Sequence, residues 1–367
     1  MTKLGLATAL LAASSTTALG AGIERSVPST SVLFEDGRYL QFSFSTADPT
    51  LSGVGGALDS ENAGTGDLLE RFATFGAAYK ADINENLSYA FILDEPVGVD
   101  TNYPVIETSG YSGTVAELNG LQLTSILAYR PATDVTVYGG VRVQAIDANA
   151  TLPFIAAPAG YSVDAARDIA SGYMFGAAYE RPDIALRVAL TYYSAIDHEL
   201  ATTEVIPGSA TVDSTVEIST PQSVNLEFQS GIAEDTLLFG SIRWVDWSEF
   251  AISPTLFSSD DVAGQPLVDY QEDWTTYTLG VGRRFNETWS GAIQVSHEPA
   301  AGYVPLTTLG PVDGRNSIGV AATYTKDNMK ITAGVTYVDL GETQNFAATD
   351  FSDGDAIGFG FRVGYTF

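Results

Sequence analysis

The chain has no cysteine, two histidines, and only 17 basic residues against 45 acidic ones in 367 positions. Each shortage removes a class of function. Without cysteine there is no disulfide framework and no thiolate metal site. His198 and His297 alone leave little for a histidine-based zinc site. A net charge of −28 repels phosphate, which excludes nucleic-acid binding as a main role. Charged residues of both signs make up only 17% of the chain, where a soluble domain carries about 25%. Beyond residue 20 no uninterrupted apolar run is long enough for a membrane-spanning helix. There is no Gly-x-Ser-x-Gly nucleophile elbow, and His198 and His297 fall at strand ends or loop entries, so no enzyme and no cofactor are expected.

Residues 1–20 read as a secretory signal peptide. Lys3 is the positive start, Leu4 to Ala13 a short apolar run, and Ala18-Leu19-Gly20 a small-residue cleavage site, with Ala21 opening the mature chain. An exported chain without spanning helices enters a membrane only as a closed barrel.

What is abundant is period-two alternation. In the last segment Ile357, Phe359, Phe361, Val363, Tyr365 and Phe367 point one way, and Gly358, Gly360, Arg362, Gly364 and Thr366 the other. Fourteen such segments run over 38–47, 68–80, 87–97, 116–130, 134–148, 168–180, 183–198, 216–230, 235–247, 272–285, 288–298, 315–326, 329–340 and 355–367. Short turns alternate with long loops at 48–67, 98–115, 149–167, 199–215, 248–271, 299–314 and 341–354. Outer-membrane barrels have this asymmetry, with short periplasmic turns and long outer loops. Tyr79, Tyr129, Tyr179, Phe285, Trp289 and Tyr324 sit where an interfacial aromatic girdle belongs. A soluble β-sandwich or β-helix also alternates, but explains neither the turn asymmetry nor a strand that ends on Phe367. The expected fold is all-β: a transmembrane antiparallel barrel of about fourteen strands (38–367) with a short N-terminal plug (21–37).

Several segments resemble the FadL-type family of outer-membrane long-chain fatty acid and hydrocarbon transporters. The most specific is Phe239-Gly-Ser-Ile-Arg-Trp-Val-Asp-Trp-Ser-Glu-Phe250, similar to the family's Trp-x-x-Trp-Ser-x-Phe strand. Thr220-Pro-Gln-Ser-Val-Asn-Leu226, Asp273-Trp-Thr-Thr-Tyr-Thr-Leu-Gly-Val-Gly282 with Asn286-Glu-Thr-Trp289 and Glu298-Pro299, Asp313-Gly-Arg-Asn-Ser-Ile-Gly-Val320 and the terminal Gly360-Phe-Arg-Val-Gly-Tyr-Thr-Phe367 follow in family order. The resemblance is good over 170–367 and looser over 21–170. It implies a monomeric barrel in the outer membrane, among lipid and lipopolysaccharide, taking a hydrophobic ligand such as a fatty acid. Ligand would land on an outer groove, move past the plug and leave sideways at a kink in the third strand. Two departures are visible: the family's Asn-Pro-Ala hatch motif is missing, the corresponding stretch reading Val32-Leu-Phe-Glu-Asp-Gly37, and only Ala21 to Gly37 precedes the first strand, a shortened hatch.

Four groups of residues are candidates for a role. Asp94, Pro96 and Gly98 follow the third strand at once; proline cannot donate to the ladder and glycine permits a bulge, so this is either a lateral opening or an ordinary strand end. Arg142, Arg187, Arg243 and Arg362 fall on the lumen side, where they suit a carboxylate head group or brace the barrel against Glu227 and other inward acids. Tyr138, Tyr193 and Phe239 line the same side, as tail contacts or as packing for the plug residues Ile23, Arg25, Val32 and Phe34. Acidic residues crowd the long loops (Asp59, Glu61, Asp67; Asp260, Asp261, Asp269, Glu272, Asp273; Asp350, Asp353, Asp355), which reads either as outer-surface cation binding or as a solvated anionic surface. The expected function is passive transport of hydrophobic small molecules, foremost long-chain fatty acids. The alternatives are a general diffusion porin for small polar solutes and a structural or adhesive surface barrel.

Overall fold

The computed structural model describes residues 22–59, 61–302 and 307–367; the expected signal peptide lies outside the described residues. Alternation along each segment becomes the wall of a closed barrel. Its strands, called first to fourteenth below, are Tyr39–Val54, Phe72–Asn84, Leu87–Asp94 resumed as Gly98–Asn102, Val115–Ala132, Val135–Leu152, Tyr161–Arg181, Leu186–Tyr193 resumed as Ile196–Ile206, Ala210–Thr220 resumed as Ser223–Ala233, Thr236–Val245, Trp274–Arg284, Trp289–Glu298, Arg315–Lys326, Met329–Leu340 and Asp350–Thr366. Neighbours pair antiparallel, and the fourteenth closes on the first, with Tyr39 opposite Thr366 and Ala47 opposite Gly358. Closure removes the two outer edges of the sheet, which is what hydrocarbon demands of it.

The two faces follow from side-chain chemistry. Phe42, Phe75, Phe91, Leu127, Tyr173, Phe175, Ile293, Val320, Phe359 and Phe361 are exposed on the outside, where lipid would cover them. Thr124, Thr136, Gln144, Thr191, Asn225, Thr323 and Thr332 are buried within. At the short-turn end Trp289 pairs with Tyr324, their rings 5.1 Å apart, and Tyr129 lies opposite Val137 in a row with Leu87. This is the geometry of the expected girdle.

The structure corrects several boundaries. Residues 199–215 are not a long loop: the seventh and eighth strands run on to Ile206 and from Ala210, with buried Leu200, Thr202 and Glu204 alternating with exposed neighbours. The reason is a packing partner. The 253–267 connection folds against them, and the buried Glu204 carboxylate accepts Leu256 N–H (2.9 Å), Phe257 N–H (2.8 Å) and Tyr161 O–H (2.8 Å). Likewise Asp350, Asp353 and Asp355 lie on the final strand, not in the loop before it. The first strand reaches Val54, and the third stops at Asp94 before resuming.

Glycine is required where the wall meets a lumen ring. A Cβ on Gly364 would overlap the hydroxyl of buried Tyr39. Gly364→Ala is therefore expected to destabilise the barrel by about 1–3 kcal/mol through overpacking. A lower temperature of conversion from folded to unfolded band on a semi-native gel would show it.

Candidate functional site

The N-terminal segment runs down the lumen and is fastened at every level. Glu24 meets Arg243 at 2.5 Å, both side chains 7% exposed, while Arg243 also donates to Ser223 Oγ (3.0 Å) and Asn225 Oδ1. Asn225 donates to Pro28 O at 2.9 Å, and Ser29 to Glu227 at 3.3 Å. Val32 and Leu33 are buried in a short 3-10 turn, with Phe34 edge-on to Tyr138 and under the Arg187 guanidinium (4.2 Å). At the base Lys330 pairs with Glu35 (2.8 Å), and fully buried Lys80 donates to the carbonyls of Glu35 and Gly37.

Sequence reasoning placed Tyr138, Tyr193, Arg142 and Arg187 in the lumen, and all four are buried there. The structure gathers Tyr138 and Arg187 around Phe34, whereas Arg142 lies over Tyr193 (5.3 Å) and donates to Ser194 O (2.8 Å) and Gln122 Oε1 (2.9 Å). Phe239 is buried against Gly280 of the next strand. Arg362 differs from the other three arginines. Among the described residues it has neither hydrogen-bond nor ion-pair partner, and its Nε is buried without one.

The ladder is interrupted at Glu95, Pro96 and Val97, and also between the sixth and seventh strands, whose pairing stops at Met174–Tyr193 and resumes at Ala165–Thr202. The first of these breaks lies against the N-terminal segment. Second and third strands pair only from Ala77–Leu93 downward, so Phe72 to Gly76 have no neighbour on that side. Pairing returns at a single bridge, Leu69–Thr101, with Glu70 N–H donating to Asp100 O. Between third and fourth strands the register slips by one residue, from Asp94–Gln122 to Gly98–Asn119. The chain there bends inward: Pro96, Val97 and Gly98 are all buried, and Val97 lies so close over Gly120 that no Cβ fits. Gly120 is a site residue that sequence reading missed, because its reason is a contact across strands.

The N-terminal segment completes the broken edge. Arg25 N–H donates to Pro96 O (2.8 Å), Gly98 N–H donates to Ile23 O (2.8 Å), and Glu24 faces Val97 as an antiparallel bridge. The Arg25 guanidinium crosses Gly98, where a side chain would displace it, to pair with Asp100 and lie 4.8 Å from the centre of the Phe72 ring. Asp100 and Phe72 were also missed; nothing local in the sequence marks them.

Three cavities meet at this segment. An upper, apolar one of about 60 Å³ lies between Ile23, Val99, Leu118, Val163, Leu267 and Tyr270, with no basic side chain in its lining. Gly22 sits beneath a cluster in which Trp247, Phe250, Tyr270 and Trp274 have ring centroids 5.4–5.5 Å apart, so the Trp-Ser-x-Phe stretch forms the clamp over the segment. Burial pushes the Tyr270 phenol well above its ordinary value, which keeps it neutral. A second cavity, about 110 Å³, lies between Arg25, Phe72, Asp100, Trp274 and Arg315. The third, about 130 Å³, is lined by lumen-facing Ser43, Thr74, Asp94 and Arg362 together with lipid-facing Phe75 and Leu93. Its lining thus includes residues of both faces of the wall beside the break.

One of the loop acids has a structural role. Asp59 is fully buried, accepting the N–H groups of Gly55, Ala63 and Gly64 at 2.8–2.9 Å. Among the described residues no group of three His, Asp or Glu is disposed to hold a metal.

A closed fourteen-stranded antiparallel barrel with an apolar exterior and an occupied lumen defines an outer-membrane β-barrel of the transport type. The sequence profile of the outer membrane protein transport protein family (OMPP1/FadL/TodX) matches residues 37–367. The chain belongs to that family, whose members are channels for hydrophobic molecules and not enzymes. Among solved structures, a Pseudomonas aeruginosa FadL homologue superposes with a TM-score of 0.73 at 13% identity, covering 92% of each chain. The toluene transporter TodX of Pseudomonas putida gives 0.66 at 13% identity over 92% of each chain. The toluene transporter TbuX of Ralstonia pickettii gives 0.65 at 12% identity, over 96% of this chain and 97% of that one. No match is found among curated protein sequences.

Proposed function

We propose that the protein, exported by its first twenty residues and acting as a monomer among outer-membrane lipid and lipopolysaccharide, carries long-chain fatty acids passively inward and releases them sideways between its second and third strands. The observation that carries this reading is the cavity beside Glu95–Val97, whose lining runs from Ser43 and Arg362 inside to Phe75 and Leu93 outside. An alkyl chain gains about 0.8 kcal/mol per CH₂ on leaving water. The upper apolar cavity receives it, and the segment Gly22–Gly37, acting as plug, shifts to join the cavities. A second reading, an uncharged hydrocarbon as ligand, is favoured by the absence of any cation around the upper cavity. The toluene transporters among the structural relatives lend it weight.

In proteoliposomes, uptake of oleate is expected to exceed that into protein-free vesicles by about tenfold, with toluene and hexadecane run in parallel to rank the two ligand classes. Planar bilayers with the same protein should carry no large steady current. A persistently open, high-conductance state would reject the reading in favour of a diffusion porin.

A further inference from the structure

We infer that Arg362 holds the anionic head group of the ligand in the wall cavity, so that the ligand leaves the barrel tail first. The inference rests on the fatty acid reading and adds a place and an orientation to it.

The argument begins with supply. In a chain with 45 acids and 17 bases, a lumen-facing cation is surrounded by an excess of candidate partners. Arg243 has taken Glu24, and Arg25 has taken Asp100. Arg142 and Arg187 are held by glutamine oxygens, by Ser194 O and by aromatic faces. Arg362 alone of the four inward arginines has no acceptor, and it alone lines any of the three cavities. Among the described residues no acid meets it directly: Glu35, near enough to act on it electrostatically, is engaged by Lys330, and Asp94 and Glu95, in the same cavity, form no ion pair with it. An unpaired guanidinium away from bulk water is costly unless something anionic completes it.

Position then fixes the kind of anion. Arg362 lies opposite Ser43, and Ser43 opposite Gly76, so one lumen row leads from the guanidinium across two strands to the unpaired stretch of the wall. Gly76 leaves that row open, since a Cβ there would press on the Ser43 hydroxyl at 2.6 Å. Ser31, Gln41 and Ser43 offer donors beside the guanidinium, as a carboxylate with two oxygens requires. The same cavity is also lined by Phe75 and Leu93 of the lipid face, which suit alkyl and repel charge, and by Arg25 and Glu95 at the break. A single-headed carboxylate amphiphile matches both kinds of lining at once: head on Arg362, tail through the gap. A hydrocarbon matches only one kind.

The test compares oleate with oleyl alcohol, the same chain without the charge, in wild type, Arg362→Gln and Arg362→Lys. Folding of each variant is checked by resistance to unfolding on a semi-native gel. Loss of one charge-assisted contact predicts an oleate affinity about tenfold lower in Arg362→Gln, oleyl alcohol within twofold of wild type, and most oleate binding kept in Arg362→Lys. Equal loss for both ligands, or oleate binding untouched in Arg362→Gln, overturns the head-group site while leaving the fatty acid reading standing. A wild type that binds the alcohol but not oleate overturns both.

Discussion

A disulfide between Glu24→Cys and Val97→Cys is expected to stop uptake, and dithiothreitol to restore it. The chain has no cysteine of its own, so the engineered bridge would be its only one. The two residues face each other in the antiparallel bridge between the N-terminal segment and the broken strand. The flanking bonds, Arg25 N–H to Pro96 O and Gly98 N–H to Ile23 O, make this a non-hydrogen-bonded pair. Such pairs bring Cα atoms to about 4.5 Å, inside the range a disulfide accepts. If ligand passes only when the segment leaves the strand, oxidised protein should take up oleate at least about tenfold more slowly than reduced protein. The single variant Glu24→Cys separates this from the loss of the Arg243 pair, because it should not respond to reductant. Equal uptake by the oxidised and reduced double variant would show that ligand does not need the segment to part from the strand.

Arg243→Met should have the next largest effect, and in the opposite sense. It leaves the Glu24 carboxylate buried and unpaired, which costs about 3–5 kcal/mol when one member of a buried pair is removed. The backbone pairing of the ninth strand with its neighbours is untouched, and the wall loses only the side-chain bonds from Arg243 to Ser223 and Asn225. The cost therefore falls mainly on docking of the segment, shifting it by about a hundredfold to a few thousandfold toward release. Trypsin should then cut after Arg25, and single-channel recordings should show openings absent from wild type. Adding Glu24→Gln to Arg243→Met should recover part of the docking, since the orphaned charge is gone. Unchanged protection of Arg25 in Arg243→Met would mean that Asn225, Lys80 and Lys330 suffice to hold the segment.

Much of the wall was legible because a barrel strand carries its instructions in a period of two. Ile357 to Phe367 needs no partner to reveal which side is lipid and which is lumen. Loop lengths were less legible. Residues 199–215 look like a polar connection, since Thr202, Glu204 and Ser214 are ordinary loop residues. They extend the sheet because Glu204 is satisfied by two amides from the 253–267 connection, a partner far away in sequence. The break in the third strand could be suspected from Pro96 and Gly98. Its depth could not, because Gly120 makes room for it and Ile23, Glu24 and Arg25 complete it. Pairing is likewise invisible in one dimension: four inward arginines look alike in the sequence, and only their neighbours in three dimensions separate Arg362 from the others.

Pro96 has a further consequence. A strand that parts from its neighbour inside a bilayer leaves amide hydrogens with no acceptor, and each would draw the structure shut again or recruit water. At Pro96 there is no amide hydrogen to strand. The carbonyl that Arg25 releases keeps lone pairs only, which a bound ligand's proton or one water can meet. The break thus strands one amide hydrogen fewer than another residue type at Pro96 would, while Gly98 N–H still loses Ile23 O when the segment leaves. The same residue that ends the ladder lowers the barrier to using the opening.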